Sequence, residues 1–214
     1  MSEHSVLLRR EPLWRPAEIA LIARSAPWDW IREAGSLTAR LRAGCRSGFN
    51  VLLLRQAWRT PFRGEAARLE LHGRHRTLIR EVMLRDGSCP LVLARSIIPV
   101  TALRGPHCAL ARLGNRPLGE VLFADPALRR LGLECCRLTA KDWVPELGRL
   151  CTTGGGVWGR RSVYGINGLR LLVAEFFLPA ALMPSAAAQS AWANAETGAE
   201  AAPADPVDAS AEVA

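Results

Sequence analysis

Lysine is almost missing from this chain. Of its 28 basic side chains only Lys141 is a lysine, and the other 27 are arginines. A phosphate loop needs a lysine and a helix start after its glycines. Gly154-Gly155-Gly156 has neither, and no Walker or GxSxG element occurs elsewhere. Tyrosine is also scarce: Tyr164 stands alone in a chain that is 6% aromatic. With few rings to stack on bases, scattered arginines, and no zinc-finger or helix-turn-helix pattern, a nucleic-acid partner is not expected. None of the six cysteines stands in a CxxC pair, and Cys135 and Cys136 are adjacent, so a zinc site is not expected either. His72, His75 and His107 read as surface or packing residues rather than a catalytic set. No apolar run is long enough to span a bilayer. The best stretch, Leu169 to Met183, is interrupted by Arg170, Glu175 and Pro179. The start, MSEHSVLLRREP, has no continuous apolar segment of the kind that directs secretion. The expectation is a cytoplasmic protein with reduced thiols.

What is present is a strong and uneven positive charge. The net charge is +8, yet residues 184–214 carry five acids (Glu196, Glu200, Asp205, Asp208, Glu212) and no base, which leaves +13 on the first 183 residues. This last segment is rich in Ala, Ser and Pro and reads as a disordered acidic tail. Residues 1–12 read as a flexible lead-in. Between them, residues 13–183 are enough for one domain with a substantial core.

Within that domain the strand signals dominate. Phe49 to Trp58 reads as a strand, and Arg68 to Leu71 as a short second one. Thr77–Arg85 and Leu91–Ile98 form a hairpin around Asp86-Gly87, and Pro99 closes its second strand. Val157–Ile166 and Leu169–Leu178 form another around Asn167-Gly168. Helix starts are expected at Pro16, near Ser25-Ala26-Pro27-Trp28, and at Leu37 with Ser36 as N-cap. Further helices are expected over Pro106–Leu113, over Pro117–Phe123 with proline in first position, and over Ala127–Leu138. Strands joined by hairpins and helices gathered elsewhere imply an α+β fold: one mainly antiparallel sheet with helices packed on it.

Three charges fall where the strand pattern calls for apolar residues. Alternate residues share a face, so Arg80 lies with Leu78, Val82 and Leu84. Arg95 lies with Leu91, Leu93 and Ile97, and Glu175 with Leu171, Val173 and Phe177. A buried charge needs a partner or a ligand. Two arginines against one glutamate leave an excess positive charge, the pattern of an anion pocket. Arginine's planar fork suits carboxylate. If Arg80 and Arg95 both point into the core, they hold two carboxylates, and Glu175 accepts from a ligand hydroxyl or pairs with one arginine. The backbone N–H groups of Leu118 and Gly119, after Arg116-Pro117, add a second anion-attracting feature. The Trp158-Gly159-Arg160-Arg161-Ser162 stretch reads as a solvated edge strand.

Taken together these segments resemble the chorismate pyruvate-lyase family. The resemblance rests on IREVML (Ile79–Leu84), ARSIIPVTALRG (Ala94–Gly105), RPLGxxLF (Arg116–Phe123), VWGRRS (Val157–Ser162) and LLVAEFFLP (Leu171–Pro179), in that order. It extends from about Trp28 to Pro179. It implies removal of pyruvate from chorismate to leave 4-hydroxybenzoate, the first committed step toward ubiquinone, by a monomer that uses no metal or cofactor. It further implies that Arg80 holds the ring carboxylate and Glu175 the ring 4-hydroxyl. Arg95 would hold the enolpyruvyl carboxylate and help the pyruvate leave, Glu175 would either orient the ring or assist as a base, and Leu37 and Leu118 would contact the ligand. Two departures stand out. The family often has Met at the position of Leu37, and residues 124–156 are longer than in compact members. Two rivals remain at this level. One is a non-catalytic small-anion-sensing domain of the same fold, which in regulators follows a DNA-binding domain not expected before Trp28. The other is a basic nucleic-acid-binding protein, whose affinity would fall steeply with salt.

Overall fold

Tight turns and β-branched runs build a single sheet. The computed structural model describes residues 5–18, 27–73, 76–103, 105–148 and 156–183. Seven strands lie in it: β1 (Arg15–Pro16), β2 (Phe49–Arg59), β3 (Thr77–Asp86), β4 (Cys89–Pro99), β5 (Arg129–Leu138), β6 (Val157–Ile166) and β7 (Leu169–Phe177). Their order is β1-β5-β6-β7-β4-β3-β2, and every pairing is antiparallel. The β6–β7 turn uses Asn167 and Gly168, both at positive φ (49° and 79°), the backbone a two-residue hairpin needs. The architecture is the expected α+β one.

Both faces of the sheet are covered, so β3 and β4 are buried almost throughout. On the front lie α1 (Trp28–Ile31), α2 (Leu37–Gly44), a 3₁₀ segment (Gly105–Arg112) and α4 (Leu118–Leu122), packed on Val82, Leu84, Ala94, Val173 and Tyr164. On the back lie Leu7, Leu8 and Phe62 beside α3 (Arg63–Arg68), Trp143, and Leu147 of α5 (Pro145–Gly148), packed on Leu93, Ala174 and Phe176, while Leu69 packs on Ile79, Ile97, Val163 and Leu172. A final turn, α6 (Pro179–Leu182), closes one end. Among the described residues no helix is long and apolar enough to cross a membrane.

Several local expectations change. The N-terminal lead-in is packed from Ser5 onward: Leu7 and Leu8 are fully buried, and Leu8 bridges to Trp143. Pro16 sits in β1 rather than starting a helix, because its neighbour Arg15 pairs with Cys135. Arg68–Leu71 is the end of α3 and a turn, with Glu70 at φ 54°. Ala127–Leu138 is largely β5, not a helix. Pairing with β6 overrides its helical propensity, and a bulge between Arg130 and Gly132 resets the register. Pro117 is the N-cap of α4, one position earlier than expected. The acidic tail and Gly154-Gly155 lie outside the described residues.

The back face holds a dense ion-pair network. Arg95 is fully buried and grips Glu65 with two parallel bonds, Nε to Oε1 at 2.7 Å and Nη2 to Oε2 at 2.9 Å. Its Nη1 donates to Glu81 Oε1 at 2.8 Å, and Ser5 Oγ and the Val6 N–H also donate to Glu81. Burial opposes the Arg95 charge, but Glu65 and Glu81 outweigh it and raise its pKa. Beside it, Arg161 pairs with Glu134 and Glu11. Removing one partner from such a network leaves the others charged and dry. Arg95→Met is therefore expected to cost about 3–5 kcal/mol, read as a lower urea midpoint at unchanged m-value. The triple variant with Glu65→Gln and Glu81→Gln should regain most of that loss. A midpoint for Arg95→Met equal to wild type would show that the network contributes nothing.

Candidate active site

Register decides which charges meet. The β3–β4 turn pairs Asp86 with Cys89 and Arg85 with Pro90. Continued without interruption, that pairing would set Arg80 opposite Arg95. A bulge between Leu84 and Arg85 shifts the register by one, so Arg80 pairs with Ser96 and Glu81 with Arg95. A one-residue shift exchanges the faces. Arg95 therefore points to the back, and Arg80 points to the front. The expectation that both arginines enter one pocket is corrected on this ground: Arg95 is matched by carboxylates and does not line the front cavity.

The front cavity is lined by Arg80, Val82, Ala94, Ser96, Val173 and Glu175 from the sheet. Leu37 and Thr38 of α2, Pro117–Gly119, Leu122 and Phe123 of the α4 region, and Tyr164 complete it. Of the five side chains singled out in the sequence, the structure thus brings together Arg80, Glu175, Leu37 and Leu118. The residues between Arg80 and Glu175, across β4 and β7, are Ala94, Ser96 and Val173, so small side chains form the floor. The roof is two short helices in close approach. A Cβ on Gly119 would lie 3.0 Å from Thr38 Oγ1 and 3.3 Å from Ser36 Oγ, so glycine lets α4 reach α2. Ser36 caps α2 as expected, accepting from Ala39 N, and Arg42 pairs with Glu120 across the two helices.

Arg80 is the anomaly of this cavity. It is 1% exposed, and its Nη2 donates to the carbonyls of Gly114 (3.0 Å) and Arg116 (2.9 Å). Its Nε has no partner, and no carboxylate among the described residues pairs with it. Burial without a counter-charge pushes its pKa down to about 10. Glu175, by contrast, has a partner that the sequence reading took for solvated surface. Arg160 lies opposite it on β6 and donates Nε to Glu175 Oε2 at 2.5 Å. Far from being an edge strand, β6 is internal, and Arg160 and Arg161 are both buried, one on each face. The signal was the alternation itself: Trp158, Arg160, Ser162 and Tyr164 share a face, so Arg160 belonged with the core residues.

A larger groove, about 660 Å³, runs along the back between Ser5, Val6, Arg9, Leu54 and Val144–Leu147. It has no buried unmatched charge. The front cavity measures only about 40 Å³ but contains one. A lone buried guanidinium is the rarer and more costly feature, so the front cavity is the candidate site.

Comparison with known proteins finds relatives over most of the chain. Residues 8–187 match the family described as Chorismate lyase. A protein of Methylococcus capsulatus named "Probable chorismate pyruvate-lyase" is 50% identical over 154 residues, 72% of this chain and 95% of that relative. One of Pseudomonas fluorescens named "Probable chorismate pyruvate-lyase 2" is 40% identical over 169 residues, 78% of this chain and 90% of the relative. Among solved structures, the ligand-binding domain of a putative GntR-family transcriptional regulator from Bordetella bronchiseptica overlaps 63% of this chain and 86% of its own, with a TM-score of 0.47 and 18% identity.

Two outcomes follow from the unmatched arginine. Arg80→Met removes a buried charge that nothing neutralises, so it should melt at or above the wild-type temperature while losing affinity for carboxylate ligands. A lower melting temperature would mean that Arg80 holds the fold. Benzoate, ionised throughout the range, should bind with constant affinity at neutral pH. Binding should fall as pH rises through about 10, where ligand-free Arg80 loses its proton. A flat titration profile past that point would mean that Arg80 keeps its proton there despite its burial.

Proposed function

The chain belongs to the chorismate lyase family, and on that premise we propose that it eliminates pyruvate from chorismate, leaves 4-hydroxybenzoate, and so begins ubiquinone synthesis. One observation carries this reading: a buried arginine without a carboxylate faces a carboxylate across a floor of small side chains. Chorismate supplies the missing anion and a hydroxyl for the far end. By register, the Arg80 and Glu175 backbones stand two strands and two residues apart, about 12 Å from standard sheet spacings. The two side chains reach inward and a six-membered ring fills the remainder. Its ring carboxylate lies on Arg80 and its C4 hydroxyl donates to Glu175. Leu37, Leu118 and Val82 enclose the ring between roof and sheet.

The reaction needs little more than orientation, because aromatisation drives it. The C3–O ether bond breaks, the hydrogen at C4 leaves, and the enolpyruvyl fragment gains that hydrogen to become pyruvate. With Oε2 of Glu175 committed to Arg160, Glu175 is assigned an orienting role. The hydrogen then passes from C4 directly to the enolpyruvyl methylene. No metal or cofactor takes part in this scheme.

Purified protein given chorismate and no cofactor should form 4-hydroxybenzoate and pyruvate in equal amounts. Glu175→Gln should lower turnover by on the order of 10²-fold, as misplacement of a reacting group does. Chorismate deuterated at C4 should yield pyruvate carrying the label in its methyl group. Loss of the label to solvent would make Glu175 a base instead. Folded protein that binds 4-hydroxybenzoate without turning over chorismate would be a sensing domain.

A further inference from the structure

The front cavity is too small, as it stands, for the ligand assigned to it. Its free volume is about 40 Å³, room for a few waters, whereas a benzene ring is hosted by a cavity of roughly 150 Å³. The roof therefore has to move for a ring to enter or leave. The question is what holds it down and whether that hold is connected to the chemistry.

Arg160 answers both parts. It is 1% exposed, and its guanidinium is shared between two structures. Through Nε it holds Glu175 Oε2 on the floor of the cavity. Through Nη1 it donates to the backbone carbonyls of Trp30, at 3.0 Å, and Glu33, at 2.9 Å. Trp30 lies in α1, and Glu33 lies in the turn that leads to the Ser36 cap and so to Leu37 and Thr38 of the roof. The Glu33 carbonyl also accepts from Arg130 Nη2 at 2.6 Å, so two arginines converge on one point of the cover. The Trp30 ring rests between Arg40, 4.0 Å above it, and Phe177, two residues beyond Glu175 on β7. Burial opposes the charge of Arg160, and Glu175 more than offsets it, so the guanidinium stays protonated.

We infer that Arg160 is a positioning residue that couples closure of the α1–α2 cover to the placement of Glu175. This rests on the proposed function for the ligand, though not for the coupling itself. When the cover lifts, both carbonyls leave Nη1, and a buried cation loses two of its hydrogen bonds. The remaining bond to Glu175 is then free to swing with the guanidinium. When the cover closes on the ring, the same guanidinium is fixed at both ends and Glu175 is set against the C4 hydroxyl. Closure, ligand retention and orientation of Glu175 become one event. Product release, which needs the cover open, is slowed by the same bonds.

The test compares dissociation of 4-hydroxybenzoate, followed by tryptophan fluorescence in stopped flow, with single-turnover rates on chorismate. Arg160→Lys keeps the charge beside Glu175 but lacks the planar fork that reaches both carbonyls. It is expected to release product about tenfold faster or more, with the chemical step slowed less. Arg160→Gln removes the charge as well, so both rates should change together. Arg130→Gln, which frees the Glu33 carbonyl and the Tyr164 hydroxyl while leaving the Arg160–Glu175 pair in place, should speed release more than it slows the chemical step. A purely structural role would lower melting temperature without moving the release rate of folded molecules. Release rates of Arg160→Lys within twofold of wild type would overturn the inference. If the Arg160 variants do not fold, hydrogen exchange in the wild-type protein decides. The Arg160 Nε–H and the amides of Ala39 and Arg40 should open at a common rate and be slowed equally by 4-hydroxybenzoate. Independent rates would refute the coupling. Absence of chorismate turnover in wild type would sink the functional reading alone, because the release measurement needs no chemistry.

Discussion

A single guanidinium without a counter-charge sets the terms for the front of this molecule. Arg95 and Arg160 are as deeply buried as Arg80, and Arg161 is also buried, yet each has at least one carboxylate on it. Arg80 has two backbone carbonyls and a free Nε. Desolvating a cation without pairing it is costly, and the depressed pKa is the sign of that cost. The fold tolerates it because the surrounding sheet is over-determined: β3 and β4 are buried on both faces and bonded on both edges. On the proposed function, an arriving carboxylate would turn this unfavourable buried charge into a matched pair, and stability withheld from the free protein would become affinity.

The period of a β-strand separates this chemistry from structural ion pairing. Arg80 and Glu81 are adjacent, as are Ala94 and Arg95, Arg160 and Arg161, and Ala174 and Glu175. In each pair one side chain faces the front of the sheet and the other the back. The back face neutralises its charges internally, through Glu65, Glu81, Glu134 and Glu11. The front face keeps one arginine in reserve and locks the other to Glu175 and to the cover. The tightly bonded back supports a front whose cover, on the proposed function, opens for the ligand.

Much of this was legible in the sequence. The hairpins announced themselves through Asp86-Gly87 and Asn167-Gly168, and Ser36 through its position before a helical run. Arg80 and Glu175 stood out as charges on apolar faces, and Leu37 and Leu118 came with the family resemblance. Arg95 was misplaced because a bulge leaves no clear mark in composition. Turn chemistry alone sets Arg80 beside Arg95, and only the slip at Leu84/Arg85 sends Arg95 to the other side. β5 escaped because Arg, Leu, Glu and Cys carry no strong strand preference, and its partner β6 lies far along the chain. Arg160 was hidden by its neighbour: two consecutive arginines read as solvated until the sheet shows that both faces are dry.

The measurement that bears most directly on this account is a crystal structure of the protein with 4-hydroxybenzoate. The account expects the ligand carboxylate within hydrogen-bond distance of Arg80 Nε, the phenolic oxygen on Glu175, and Arg160 still joining Glu175 to the carbonyls of Trp30 and Glu33. A ligand whose carboxylate sits on Arg95 or in the back groove beside Arg9, with Arg80 bonded only to Gly114 and Arg116, would contradict it.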